Sequence, residues 1–148
     1  MTTSPEPGDN SRKSFGFGGS REMILGRVSS AALMLSGLAG TFAPTSVASS
    51  LDLIASSGRA KAETRAGLGG TYAALGAWAL VSRRPAARTA VGVVWLGAAA
   101  ARIGALFVDD PDPDGTYWVY LAIELGLGSA AIISAIRRSD RHETPINR

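Results

Sequence analysis

The chain contains no cysteine, and its one histidine, His142, lies in a polar tail. Disulfides, thiolate metal sites and cysteine nucleophiles are excluded, and a His-based triad or a His-rich metal centre has no material. Lysine is scarce, at Lys13 and Lys61 alone, so arginine supplies the other basic residues. Period-two alternation of apolar and polar residues is missing, which argues against the strands of a membrane barrel. A single basic patch is also missing. The pI near 9.8 and net charge of +3 therefore do not imply nucleic acid, because the basic residues flank apolar runs instead of clustering.

What is present is apolar and strongly segregated. Of 148 residues, 46% are hydrophobic, yet the mean hydropathy is only +0.15. The polar residues gather at the two ends. Residues 1–22 read as a Pro/Gly/Ser-rich disordered tail and 138–148 as a second tail. Between them, residues 23–137 read as one all-α transmembrane domain, a four-helix bundle with spans at about 24–42, 66–81, 89–108 and 117–136. The second span is short, and flanking residues complete it. Residues 45–64 are looser; Leu51, Leu53 and Ile54 suit a short interfacial helix.

Orientation follows the basic residues. Arg12, Lys13 and Arg21 precede the first span; Arg83, Arg84 and Arg88 fill the loop after the second; Arg137, Arg138, Arg141 and Arg148 follow the fourth. The opposite side receives Arg59, Lys61 and the acidic loop Asp109–Asp114. The expectation is a multi-pass protein of the cytoplasmic membrane with both termini cytoplasmic. Arg27, one turn into the first span, is expected to snorkel to that interface. Tyr117, Trp118 and Tyr120 would anchor the outer face. A competing reading takes the first span and Ser46-Val47-Ala48 as a cleavable signal, leaving three spans.

Two charges stand inside apolar runs. Arg102 lies seven residues before the acidic loop, and Glu124 lies seven residues after Tyr117, so both sit roughly 10 Å inside the same face. Charge in hydrocarbon is costly, and opposite charges at one depth on consecutive helices are expected partners. Glu63, Arg65 and Tyr72, near the same end of the second span, complete a candidate intramembrane polar cluster with Arg102 and Glu124. Such a cluster either fixes helix register or forms an outward-open pocket for an anion, a lipid head group or protons.

Small residues recur at four-residue spacing: Ala66, Gly70 and Ala74 in the second span, Ala32, Ser36 and Gly40 in the first, Gly97, Ala101 and Ala105 in the third, Gly126, Ala130 and Ser134 in the fourth. Such stripes let helices approach closely. The glycines at 67–70 lack the lysine and strand–helix context of a phosphate loop. The acidic loop lacks the central glycine and terminal glutamate of a calcium loop.

Glu63-Thr64-Arg65-Ala66-Gly67-Leu68-Gly69-Gly70, with an Arg in the third span and a Glu in the fourth, resembles the bacterial membrane family termed domain of unknown function 4345. The resemblance covers about residues 24–137, departs at Leu68, where an aromatic is more usual, and extends distantly to DoxX-like proteins. It implies a four-helix integral membrane protein, with Glu63, Arg65, Gly69, Gly70, Arg102 and Glu124 at motif positions and Gly69 and Gly70 in helix packing. It implies no reaction and no cofactor.

The sequence therefore predicts a non-enzymatic membrane protein that supports or partners another membrane protein or a second copy of itself, with the lipid bilayer as its surroundings. The alternative is a small transporter or binder built on the Arg/Glu cluster. Reporter fusions test the topology. Fusions after Arg138 and within 83–88 should read cytoplasmic, and one within 109–114 external; an external signal at Arg84 would overturn the orientation.

Overall fold

The structure, a computed structural model, describes residues 17–109 and 111–140. The tails expected at 1–16 and 141–148 lie outside the described residues. Residues 17–22, expected in a tail, are helical. The elements are α1 (Phe17–Phe42), α2 (Pro44–Ser50), α3 (Gly58–Thr64), a π-turn (Arg65–Gly70), α4 (Thr71–Val81), α5 (Pro85–Val108) and α6 (Gly115–Asp140). No strand occurs among the described residues.

Local chemistry sets the boundaries. Pro44 and Pro85 open α2 and α5, where a missing N–H costs nothing. The Ser57 hydroxyl accepts from the Ala60 N–H at 3.0 Å and starts α3. The Asp114 carboxylate accepts from the Tyr117 N–H at 2.8 Å and starts α6. The stretch expected as one interfacial helix is thus two short helices joined by a turn, with Leu53 and Ile54 exposed. Asp52 takes the left-handed conformation there (φ 57°), which a short polar side chain tolerates.

Helix α1 is central, packing against α4 and the π-turn on one side and α6 on the other, while α5 and α6 pair along their length. The α1–α4 crossing is backbone on backbone. A Cβ added at Gly37 would come within 2.1 Å of the Ala73 nitrogen, and one at Gly76 within 2.4 Å of the Met34 nitrogen. Gly69 abuts Thr41 in the same way, at 2.7 Å from its nitrogen.

The stripe that the sequence suggests in this segment is on the wrong face. Ala66, Gly70 and Ala74 are exposed, and the packed residues are Gly69, Ala73 and Gly76. Gly70 therefore makes no helix contact of the kind expected, whereas Gly69 does. The reason is the π-turn, whose wider winding shifts the phase of any 3.6-residue reading across it. Gly97 and Gly126 likewise face open space, and the close α5–α6 contacts fall at Gly92 against Ile132 and at Gly128 against Leu96.

Three helices are long and apolar enough to cross a membrane: Met23–Phe42, Pro85–Val108 and Gly115–Ser139. The fourth expected span is not among them. Its apolar part, 66–81, falls short of the ~20 residues a crossing needs and continues a helical run that begins in polar α3. The exterior is apolar as well as the core: Leu33 and Val91 are fully buried beside Ser29 and Ser30, while Leu35, Phe107, Val119 and Ile136 face outward. Apolar helices with an apolar exterior point to a membrane location.

Close backbone contact at α1–α4 predicts an asymmetric glycine series. Gly76→Leu should lower the thermal unfolding temperature of detergent-solubilised protein sharply, because backbone atoms cannot yield. Gly97→Ala should leave that temperature unchanged or raise it. Equal losses at both positions would remove the crossing as the determinant.

Candidate functional site

Arg102 on α5 and Glu124 on α6 form a bidentate pair. The Arg102 Nε–H donates to Glu124 Oε2 at 3.1 Å and Nη2–H donates to Oε1 at 2.9 Å. The Glu124 side chain is 9% exposed and that of Arg102 is 22% exposed. Two parallel charge-assisted bonds fix orientation as well as distance. Aromatic groups complete the seat. The guanidinium carbon lies 5.1 Å from the Tyr117 ring centre and 5.6 Å from that of Tyr120, within cation–π range. The Tyr117 hydroxyl donates to the Arg102 backbone carbonyl, tying the start of α6 to α5. Tyr117 and Tyr120, expected as interfacial anchors, therefore serve Arg102; Trp118 alone of the three is exposed, edge-on to Tyr117.

The pair lines a cavity of about 400 Å3. Every helix except α3 contributes, with Ser36, Val47, Tyr72, Trp95, Ala98 and Ile123 among the walls and Leu68 from the π-turn. The lining is mainly apolar, and Tyr72 reaches the same space as Arg102 and Glu124. Trp95 adds a further feature. Its indole Nε1 is the buried side-chain polar atom without a hydrogen-bond partner among the described residues. Outside this cavity lies an open, more polar recess of about 850 Å3, bordered by Asp52, Asp112, Asp114 and Thr116. Arg102, Tyr120, Ser50 and Leu51 border both spaces, so they form the partition between them.

The other two cluster residues stand elsewhere. Arg65 is exposed, and its Nε–H donates to the Thr41 carbonyl at 3.1 Å, closing the C-terminal end of α1. Glu63 is exposed on the last turn of α3. Neither lines the cavity, so the five-residue cluster divides into a site of three, Tyr72, Arg102 and Glu124, and a helix-end contact. The π-turn separates them: Glu63 precedes it, Arg65 is its first residue, and Tyr72 follows it. Among the described residues, no group of three His, Asp or Glu side chains could hold a metal ion.

One residue that sequence reasoning placed in a loop is buried. Arg88 is 6% exposed, and its Nη1–H donates to the Ser134 hydroxyl at 3.0 Å. The signal was Pro85: a proline at the first helical position puts Arg88 inside the first turn of α5, not before it. Arg27, expected at the interface, is exposed on α1.

Apolar helices long enough to cross a membrane, packed around the Arg102–Glu124 pair and a small cavity, define an all-helical protein among the described residues and point to a membrane location. More particularly, residues 22–134 match the family described as Domain of unknown function (DUF4345), and the chain belongs to it. No curated protein and no solved structure matches the chain.

The bidentate geometry predicts strong coupling. Arg102→Ala or Glu124→Ala leaves one buried charge unpaired, a loss of about 3–5 kcal/mol. The double change Arg102→Leu/Glu124→Leu should cost less than the sum of the two single changes in thermal unfolding of the detergent-solubilised protein. Simple additivity would mean that the pair carries no interaction energy.

Proposed function

We propose that this protein is a small multi-pass protein of the cytoplasmic membrane that binds an amphiphilic small molecule in the cavity beneath Arg102 and Glu124. The single observation that carries this reading is where the ion pair sits. It forms part of the wall of a space of about 400 Å3, within the ~300–1,000 Å3 typical of small-molecule sites, instead of being sealed between packed helices. A mainly apolar wall suits the body of a ligand, and the paired charges offer a neutral, strongly polar contact for its head. The recess outside, bordered by three aspartates, disfavours free anions and favours a neutral or zwitterionic head.

In this reading the helical run from Gly58 to Val81 crosses as the fourth span and both termini are cytoplasmic, so that the cavity opens outward. The protein acts as a carrier or receptor subunit, not as a catalyst. A second reading has its own support. The bidentate bond and the Tyr117–Arg102 tie would also serve a purely structural role, fixing α5 against α6 in a subunit that partners another membrane protein.

The two readings part on cavity filling. Leu68→Trp and Ala98→Phe each place bulk in the cavity and leave both members of the pair in place. Native mass spectrometry of protein extracted in mild detergent should show a bound amphiphile on the wild type and its loss from both variants. If the wild type carries no such species and both variants unfold at higher temperature, the cavity is only a packing defect and the structural reading stands.

A further inference from the structure

The wall of the Arg102 cavity carries one charged pair and otherwise neutral groups. Apart from Arg102, Glu124 and the Trp95 indole, its polar side chains are the hydroxyls of Ser36, Ser50, Tyr72 and Tyr120. Ser50 is committed, donating to the Val47 carbonyl at 2.8 Å. Tyr72 has a different setting. It stands in the first turn of α4, directly after the π-turn, and its ring packs against the buried cluster that contains Leu33 and Trp95. Packing holds the ring, and the ring carries its hydroxyl within range of the Glu124 charge. Among the described residues no hydrogen bond joins the two; both Glu124 oxygens accept from Arg102 instead. The Tyr72 oxygen is not an enclosed atom either, as the buried Trp95 Nε1 is. Helix α1 begins nineteen residues before Ser36 and α6 ends sixteen residues after Glu124, so both lead away from this cavity by roughly 24 Å or more.

This arrangement discriminates between head groups by charge. A carboxylate has about four acceptor sites, and Arg102 takes one on each oxygen of Glu124. A phenol both donates and accepts. Tyr72 and Glu124 thus offer a donor and a free acceptor side by side, next to a pair that carries no net charge. An anionic head gains Arg102 but is repelled by Glu124. A cationic head gains Glu124 but is repelled by Arg102. Either one must break the bidentate bond to gain a full partner. An alkane leaves both polar groups unmet. A hydroxyl satisfies both at once, because its O–H donates to Glu124 while its oxygen accepts from the Tyr72 O–H.

We infer that the cavity takes a neutral single-chain amphiphile with a hydroxyl head, of the long-chain alcohol type, and that Tyr72 is the residue that selects it. This rests on the reading of the cavity as a ligand site. The chain lies along Val47, Leu68, Ala98 and Ile123, and the hydroxyl bridges Tyr72 and Glu124 without disturbing the bond to Arg102. The Tyr72 ring serves as wall, and its oxygen serves as the group that tells an alcohol from a hydrocarbon of the same length.

The test uses the full chain, delipidated and held in amphipol so that no detergent competes for the cavity. Dodecanol, dodecyl methyl ether, dodecane, dodecanoate and dodecylammonium are titrated separately, and binding is read by native mass spectrometry and by the shift in unfolding temperature. Dodecanol should bind tightest to the wild type. Tyr72→Phe keeps the ring and removes the oxygen, so it should bind dodecanol roughly fivefold more weakly, the equivalent of one neutral hydrogen bond. Should Tyr72→Phe fail to fold, the ether supplies the same comparison on the wild type: it can accept from Tyr72 but has no proton for Glu124, and a loss of roughly fivefold against dodecanol is expected. If dodecane or an ionic head binds as well as dodecanol, or if Tyr72→Phe keeps the preference for dodecanol, selection by the hydroxyl is overturned while the cavity stands as a ligand site. If none of the five binds, the ligand site itself falls and this inference with it.

Discussion

An ion pair between adjacent apolar helices sets the constraint on which this bundle turns. Arg102 and Glu124 cannot separate without exposing a charge to an apolar medium, so the register of α5 on α6 is fixed wherever the pair forms. A slip of one turn, about 5.4 Å, would break both hydrogen bonds and remove Arg102 from the rings of Tyr117 and Tyr120. The same register seats Gly92 against Ile132 and Gly128 against Leu96, contacts that work only at this alignment. Hydrophobic association contributes little between helices surrounded by lipid, so specificity falls to one polar pair and to close packing.

Close packing alone does not produce a cavity, and the π-turn accounts for one. Residues 65–70 wind more widely than the helices on either side, and Gly69 presses on Gly40 and Thr41 while Leu68 turns toward the interior. The chain past this point, α4, hugs α1 through Gly37 and Gly76. Around the turn, Leu68, Tyr72 and Trp95 line the space that stays open.

The parts of this arrangement that were legible in the sequence are those governed by one strong energy. Arg102 and Glu124 could be matched because a charge in an apolar run has few affordable partners and depth can be counted from a common loop. The helix boundaries at Pro44, Pro85 and Asp114 follow from local backbone rules. Packing faces were not legible, because with alanine and glycine this abundant every face of every helix contains a small-residue stripe. Ala66, Gly70 and Ala74 satisfy the spacing rule as well as Gly69, Ala73 and Gly76, and only the π-turn decides between them. Arg65 was drawn into the cluster by its nearness in sequence to Tyr72, yet it has a nearer demand to meet, the open carbonyl of Thr41 at the end of α1. The second apolar run makes a span only with flanking residues added, and those flanking residues belong to the polar helix α3.

Helix α5 carries the same residue type at both ends, and the two arginines show that identity of side chain does not fix its role. Arg102 has a carboxylate across the interface and two aromatic faces, so its charge is compensated within the fold. Arg88 has the Ser134 hydroxyl across the same α5–α6 interface, with Arg27 and Arg138 as cationic neighbours. Ser134 stands ten residues after Glu124, on the part of α6 that packs against the start of α5. A carboxylate at that position would have made a second internal pair, at the cost of desolvating another anion. A hydroxyl instead positions Arg88 through a neutral hydrogen bond. One end of the α5–α6 interface is therefore held by a salt bridge, and the other by an arginine–hydroxyl hydrogen bond.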